Sequence, residues 1–368
     1  MKILYFTYDY SPHDYRFLSA LAETDHEVFY VRLQRGHRQV EDRALPLNIQ
    51  QVQWAGGRGE FRWRDLPRLI FDFRRLTRVI RPDLIHAGPI QTCAFIAVLS
   101  DFRPILSMSW GFDLMDDVHR NRGMERITRY TLKRSTFFTS DANVTRDKAV
   151  TYGMNPDRTV VFPWGVDLQH FTPTAEHRSP VTDSFTLFCN RSWEPRYGVD
   201  VLAKAFVKVA QQNPDVDLLL LGGGSQAQPI RQILERGGVL DRVRMPGQVA
   251  QGDLPRWYHM ADLYISPSHV DGSSVSLMEA LACGIPCLVS DIPANREWVT
   301  EGANGWLFPD GNADALAEKI LAAIARRKTL PEVGRSARQV AEQRADWSKN
   351  FGQLLLAYEQ TVKLGRKS

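Results

Sequence analysis

Short apolar runs alternate along the chain with segments of helical length and period, and this alternation limits the fold more than any other feature. The runs are "KILYFTY", "EVFYVRL", "DLIHAG", "PILSMSWG", "FFTSD" and "TVVFPWG", followed by "FTLFCNRS", "DLLLLGGG", "VRMPGQV", "LYISPS" and "CLVSD". Between them lie "RFLSALAE", "MERITRYTLKRS", "DVLAKAFVKVAQQ" and "VSLMEALACG". Strands joined through helices run parallel, and a parallel sheet is covered on both faces, so its strands read as continuous apolar runs. A chain of 368 residues exceeds a single core, since domains hold roughly 100–200 residues. The rhythm breaks at residues 169–184, "QHFTPTAEHRSPVTDS", where Pro, Thr, Ser and His replace it. The expected division is therefore 1–172, 173–345 and a helical tail, 346–368, with apolar Trp347, Phe351, Leu354, Leu355 and Tyr358. The fold class is α/β, with two Rossmann-like domains. Ligands of open parallel sheets bind beyond the carboxyl ends of the strands, so the two sheets are expected to face each other across a cleft.

Composition narrows the function classes. Hydrophobic residues at 43% and charged ones at 24%, without a long apolar run, argue against a disordered or membrane-spanning chain. The start, "MKILYFTYDYSPH", reads as a first buried strand rather than a signal peptide. Cys93, Cys189, Cys283 and Cys287 form no CxxC pair and stand in apolar surroundings, which favours packing over a zinc site or disulfides. A cytoplasmic protein is the simplest expectation. The net charge of +4 is too small to announce nucleic acid. Positive charge is nevertheless concentrated in residues 58–81, "RGEFRWRDLPRLIFDFRRLTRVIR", where eight Arg face Glu60, Asp65 and Asp72. The Arg residues interleave with Trp63, Leu66, Leu69, Ile70, Phe73 and Leu76, as in helices that rest on anionic lipid at the inner membrane face. An ordinary solvated helix packed on a sheet fits the same pattern.

The residues that carry chemistry end strands. "DLLLLGGGSQ" closes a strand in Gly222, Gly223 and Gly224, where a missing Cβ lets backbone amides approach a phosphate or simply permits a tight turn. More specific is "HVDGSSVSLMEALACGIPCLVSD", residues 269–291, in which Asp271 and Glu279 are eight positions apart. "SSVSLMEALACG" reads as a helix with Ser273 or Ser274 at its N-cap and Gly284 as its stop. The amides of Gly272, Ser273 and Ser274 at such an N-terminus suit an anion such as a diphosphate. Glu279 lies roughly 7 Å along that helix, about the reach from a diphosphate to a ribose. One acid can then bind ribose and the other a transferred sugar; the alternative makes Asp271 a turn residue and Glu279 a solvated helix position.

"DGSSVSLMEALACGIPCLVSDIPANREWV" resembles the donor-binding signature of retaining glycosyltransferases of the GT-B fold, family 4. The likeness continues in "MPGQVAQGDLPRWYHMADLYISPS", which contains Val249, in "NRSWEPRYGVDVLAKAF" and in "VVFPWGVDLQHF". The first half matches more loosely, through "DLIHAG" and "SMSWGFD". The resemblance implies transfer of a glycosyl group, with retention, from a nucleotide diphosphate sugar to a glycan, lipid-linked or small-molecule acceptor. It implies no cofactor beyond that co-substrate and no metal, and a C-terminal tail that crosses back to the first domain. Arg191 is implied as the diphosphate ligand, Glu279 as the ribose ligand, and Asp271 as the ligand of the transferred sugar. Gly223, Val249 and Gly272 to Ser274 complete the implied donor side.

Two departures bear on activity. Asp271 stands where the signature has Glu. Tyr197 stands directly before Gly198, where relatives carry a Lys that pairs with the Arg, leaving the adjacent Arg196 to supply the second charge. In the first half, Trp110 falls where relatives often have a His, and "YSPHDYRF" replaces a glycine-rich loop. His13, Asp14, His86 and Asp113 join Trp110 as candidates for the acceptor or donor-sugar side. A nucleotide-sugar epimerase of the same fold and a non-catalytic nucleotide-sugar-binding protein are the rival readings.

Overall fold

The computed structural model describes residues 1–35, 41, 43–174 and 184–366. The chain divides into two compact units, Met1–Phe162 with Phe351–Ser368, and Pro163–Asn350. The break in rhythm expected at residues 169–184 lies mostly outside the described residues, and the first unit ends ten residues before the expected 172.

Unit 1 is built on a seven-stranded parallel sheet. Its strands are β1 (Lys2–Thr7), β2 (Glu27–Arg32), β3 (Ile49–Gln51), β4 (Leu84–Ala87), β5 (Ile105–Met108), β6 (Phe137–Ser140) and β7 (Thr159–Val161), in the order β3-β2-β1-β4-β5-β6-β7. The central strands β4, β5 and β6 are buried at every position, as the continuous apolar runs predict for a sheet covered on both faces. The strand order reverses between β1 and β4. Loops beyond the carboxyl ends of those two strands are therefore the natural ligand position of this unit.

Unit 2 repeats the plan with six parallel strands. They are β8 (Phe185–Cys189), β9 (Val216–Leu221), β10 (Val243–Gly247), β11 (Leu263–Ser266), β12 (Cys287–Ser290) and β13 (Gly305–Phe308), in the order β10-β9-β8-β11-β12-β13. Helix Val199–Gln212 buries Val201, Leu202, Ala205, Phe206 and Val209 against one face of the sheet. Helix Val275–Ala282, buried from Leu277 to Ala282, packs on the other face together with Tyr258, Tyr264 and Trp298. Here the order reverses between β8 and β11, which places the loops after Cys189 and Ser266 at the switch point. Cys189, Cys283 and Cys287 are core residues of this unit, and Cys93 of unit 1.

The last helix, Trp347–Gly365, begins in unit 2, and from Phe351 onward it belongs to unit 1. Leu354, Ala357, Tyr358 and Thr361 form its buried stripe, with the i, i+3, i+4, i+7 spacing of one helical face. Among the described residues no helix is long and apolar enough to cross a membrane.

Candidate functional site

The loop after β8 and the loop after β11 meet through Arg191 and Asp271. Arg191 Nη2 donates to Asp271 Oδ2 at 2.7 Å, and Nη1 donates to Ser274 Oγ at 2.7 Å and Ser276 Oγ at 3.0 Å. The side chains are 11% and 14% exposed, so the pair is only partly shielded from water. Burial pushes the Asp271 carboxyl up, while the Arg191 guanidinium and the Gly272 amide pull it back. Burial opposes the charge on Arg191, but Asp271 holds it firmly protonated. Tyr197, where a Lys was expected, lies under the Arg191 guanidinium with its ring centre 4.3 Å away. It therefore stacks on the cation rather than adding a second charge.

Why the chain folds this way locally is legible residue by residue. Ser274 is the N-cap of helix Val275–Ala282, and its hydroxyl accepts from the Leu277 amide at 3.3 Å. Gly284, φ +70°, ends that helix in the left-handed region that Gly adopts freely. Gly198 holds the β8 loop against the β11 loop: its φ is +59°, and a Cβ there would stand 2.1 Å from the Pro267 carbonyl oxygen. On the other side, the β8 loop is laced to the glycine run after β9. The Trp193 amide donates to the Gly223 carbonyl at 2.9 Å, and the Gln226 amide donates to the Trp193 carbonyl at 2.9 Å. Nothing lies within 4 Å of a Cβ built on Gly223, so the space a side chain would take there is open.

Glu279 sits one turn further along the helix and is 3% exposed. Its Oε2 is 2.8 Å from the Tyr258 hydroxyl, and its Oε1 accepts from Gln251 Nε2 at 3.1 Å. The Tyr258 hydroxyl also lies 2.9 Å from the Ser276 carbonyl and accepts from Asn190 Nδ2 at 2.8 Å. Ser276 thus belongs to both environments, since its hydroxyl accepts from Arg191 and from the Tyr264 hydroxyl at 2.9 Å. A continuous hydrogen-bonded chain runs from Asp271 through Arg191 and Ser276 to Tyr258 and Glu279. Asn190, Tyr258, Tyr264, Gln251 and Ser276 are the residues that sequence reasoning missed. Asn190 and Ser276 flank residues already singled out, whereas Tyr258 and Gln251 are brought in only by the fold.

Of the remaining donor-side candidates, Ser273 accepts from the Trp298 indole at 3.1 Å, and the Arg196 carbonyl accepts from the His269 amide at 2.9 Å. Val249 packs half-buried against the core beside the Val275 helix. Among the described residues no group of three or more His, Cys, Asp or Glu side chains is arranged to hold a metal ion.

The five candidates of unit 1 gather around the carboxyl ends of β1, β4 and β5, in two roles. His13 and Trp110 are half-buried neighbours, with ring centres 5.4 Å apart. Asp14, His86 and Asp113 are fully committed inside. Asp14 forms a capping box with Ser11 and accepts from the Tyr5 hydroxyl at 3.1 Å, and burial pushes its carboxyl up to about 7. His86 stands 2.8 Å through Nδ1 from the Tyr358 hydroxyl, and burial pushes it down to about 3. Asp113 accepts from the amides of Ile90, Trp110 and Leu114 and from Ser109, and burial pushes it up to about 6.

Comparison with known proteins agrees with this architecture. Residues 174–340 match the model of glycosyl transferases group 1, and residues 2–142 match that of the glycosyl transferase 4-like family. Both models are of glycosyl transferases, and together they take in most of the chain. It is 33% identical over 211 residues to the phosphatidyl-myo-inositol mannosyltransferase of Mycobacterium leprae, covering 56% of this chain and 55% of that protein. The chain thus spans about half the length of the mannosyltransferases it matches. It is 24% identical over 377 residues to the D-inositol 3-phosphate glycosyltransferase of Paenarthrobacter aurescens, covering 93% and 90%. Among solved structures, Anabaena Alr3699/HepE in complex with UDP matches with a TM-score of 0.78 and 19% identity, over 98% of this chain and 100% of that one. Sucrose-phosphate synthase of Thermosynechococcus elongatus matches with 0.83 and 18%, over 98% and 99%. These structural likenesses are ones of fold, and the fold is GT-B.

Proposed function

We propose that the protein transfers a glycosyl group, with retention of configuration, from a nucleotide diphosphate sugar to an acceptor hydroxyl. The observation that carries the reading is the pairing of Arg191 and Asp271 at the N-terminus of helix Val275–Ala282, with Glu279 one turn beyond. In this reading Arg191 and the amides of Gly272 to Ser274 hold the diphosphate, where negative charge grows as the bond to the sugar breaks. Glu279 holds the ribose and Asp271 the sugar hydroxyls. The acceptor oxygen bonds the anomeric carbon on the face the diphosphate leaves, and its proton passes to the departing phosphate oxygen. Fixed positive groups take the place of a divalent cation, so turnover should persist in excess chelator.

The relatives' names place mannosyl or glycosyl transfer on inositol-containing acceptors in those proteins, which supports a polyol or lipid-linked acceptor for this one. The arginine-rich segment 58–81 supports contact between unit 1 and an anionic membrane. Phe71 and Val79 are each 74% exposed on helix Leu66–Ile80, and Arg68, Arg75 and Arg78 share their outer face.

The reading is tested by thermal shift with UDP, GDP and ADP and their sugars, followed by transfer assays with the stabilising donor. A ligand at 100 times its dissociation constant stabilises by about 2.7 kcal/mol. Arg191→Ala should lower turnover by roughly 10²-fold or more. Wild-type turnover of that variant at saturating donor would remove Arg191 from the role. Donor binding without transfer to any acceptor would favour the non-catalytic reading instead.

A further inference from the structure

We infer that a groove in unit 1, between segment 52–62 and helix Leu66–Ile80, takes one hydrocarbon chain of an anionic lipid presented by a bilayer. The groove encloses about 880 Å³, within the roughly 300–1,000 Å³ typical of small-molecule sites. Val52, Trp54, Phe61, Leu69 and Leu76 supply its apolar walls. The inference rests on the membrane contact proposed above and is independent of the donor site.

Two bonds fix the groove's shape. The Ala55 amide donates to Asp72 Oδ2 at 2.7 Å, and Arg68 Nη2 donates to the Ala55 carbonyl at 3.2 Å, so the strap and the helix are tied across it. The Trp54 indole donates to the Arg32 carbonyl at 2.7 Å and is thereby satisfied on the protein side. Between these bonds the apolar side chains offer an alkyl chain a continuous contact.

Charge selects the head group. Arg58, Arg62, Arg68 and Arg75 line the groove against Glu60, Asp65 and Asp72, and Asp72 is already taken by Ala55. Helix Leu66–Ile80 itself carries four Arg and one Asp. Position selects the source. Phe71 and Val79 line the groove yet remain 74% exposed, and Trp63, close by in sequence, is 41% exposed. Large apolar side chains beside arginine stems are what an interfacial helix presents to lipid, the stems lying along acyl chains and the guanidinium groups reaching phosphates. A chain leaving the bilayer at that point enters the groove without crossing water.

The test uses the full chain with phosphatidylcholine vesicles, with and without phosphatidylglycerol, each carrying a trace of a phosphatidylglycerol with a photoactivatable diazirine at mid-chain. Cross-linked residues are mapped by mass spectrometry. Labelling within 52–62 and at Leu69 or Leu76 is expected on the anionic vesicles. Gly59→Phe fills the groove at a position where an added Cβ meets nothing within 4 Å. It should lower that labelling by about tenfold while the variant still sediments with anionic vesicles and melts like the wild type. Labelling confined to Trp63, Phe71 and Val79, or none on anionic vesicles, overturns the inference. So does labelling by the monomeric probe alone, which would assign the groove to a free amphiphile. Stabilisation by nucleoside diphosphates, measured on the same preparations, reports the donor reading separately.

Discussion

Arg191 reaches across the switch point of unit 2 to Asp271, and the ion pair of 2.7 Å fixes the guanidinium against the N-terminus of the Val275 helix. The acid is one methylene shorter than the glutamate of the family signature. It thus serves as a tether for the cation as well as a candidate sugar ligand.

From this pairing, Asp271→Asn is expected to bind the bare nucleotide diphosphate at least as tightly as the wild type. Removing the carboxylate leaves Arg191 with its full charge for phosphate oxygens. Transfer should fall, because the sugar loses its acidic partner. Calorimetric titration alongside a transfer assay checks both halves; weaker diphosphate binding in this variant would show that Asp271 orders Arg191 rather than restrains it.

Glu279→Gln should weaken binding of the same bare ligand, since a carboxylate accepts from both ribose hydroxyls. Tyr258→Phe removes the hydroxyl shared by Glu279 and Asn190 and should cost about 1–3 kcal/mol of stability in unit 2. Denaturant unfolding measures that loss. An unchanged midpoint would mean that water replaces the hydroxyl.

The acids of unit 1 give a pH dependence with a definite sign. Asp14 and Asp113 are pushed up to about 7 and about 6, so the folded chain holds their protons more tightly than the unfolded chain does. Their contribution to stability therefore falls as pH rises from the ordinary carboxyl range to those values. His86, pushed down to about 3, acts oppositely: its contribution is full above the ordinary imidazole value and is lost as pH falls towards 3. Asn at position 14 imitates the protonated acid. The melting temperature of Asp14→Asn relative to wild type should rise between about pH 4 and about pH 7, and a constant difference would refute the burial argument for Asp14.

Tyr358→Phe strands the buried Nδ1 of His86, whose other ring nitrogen has only the Met108 sulfur at 3.2 Å. The expected cost is about 1–3 kcal/mol. Unfolding followed by a probe in unit 1 reads it, and no loss would show that the two groups do not depend on each other.

The parallel sheets were legible because central strands buried on both faces leave continuous apolar runs. The short strands β3 and β13 were not, since Ile49–Gln51 carries too little apolar pattern and Gly305–Phe308 is bounded by turns. The N-cap Ser274 and the stop Gly284 follow from local chemistry and were readable. The partners of Glu279 were not, because Tyr258 is 21 residues away and its neighbours in the sequence pattern only as core. His86 ends a strand and was read as a candidate ligand; its partner is 272 residues later, a distance over which sequence periodicity carries no information.

The placement of the final helix makes unit 2 an insertion within unit 1. A chain emerging from the ribosome presents β1 to β7 early, but the residue that satisfies His86 is synthesised only after all of unit 2. Domains generally fold in order of synthesis. In this protein the first unit to begin is the last to be completed, so its sheet must wait, partly uncovered, while the second folds. A chain truncated after residue 350 would hold all of unit 2 and a unit 1 in which His86 still lacks Tyr358.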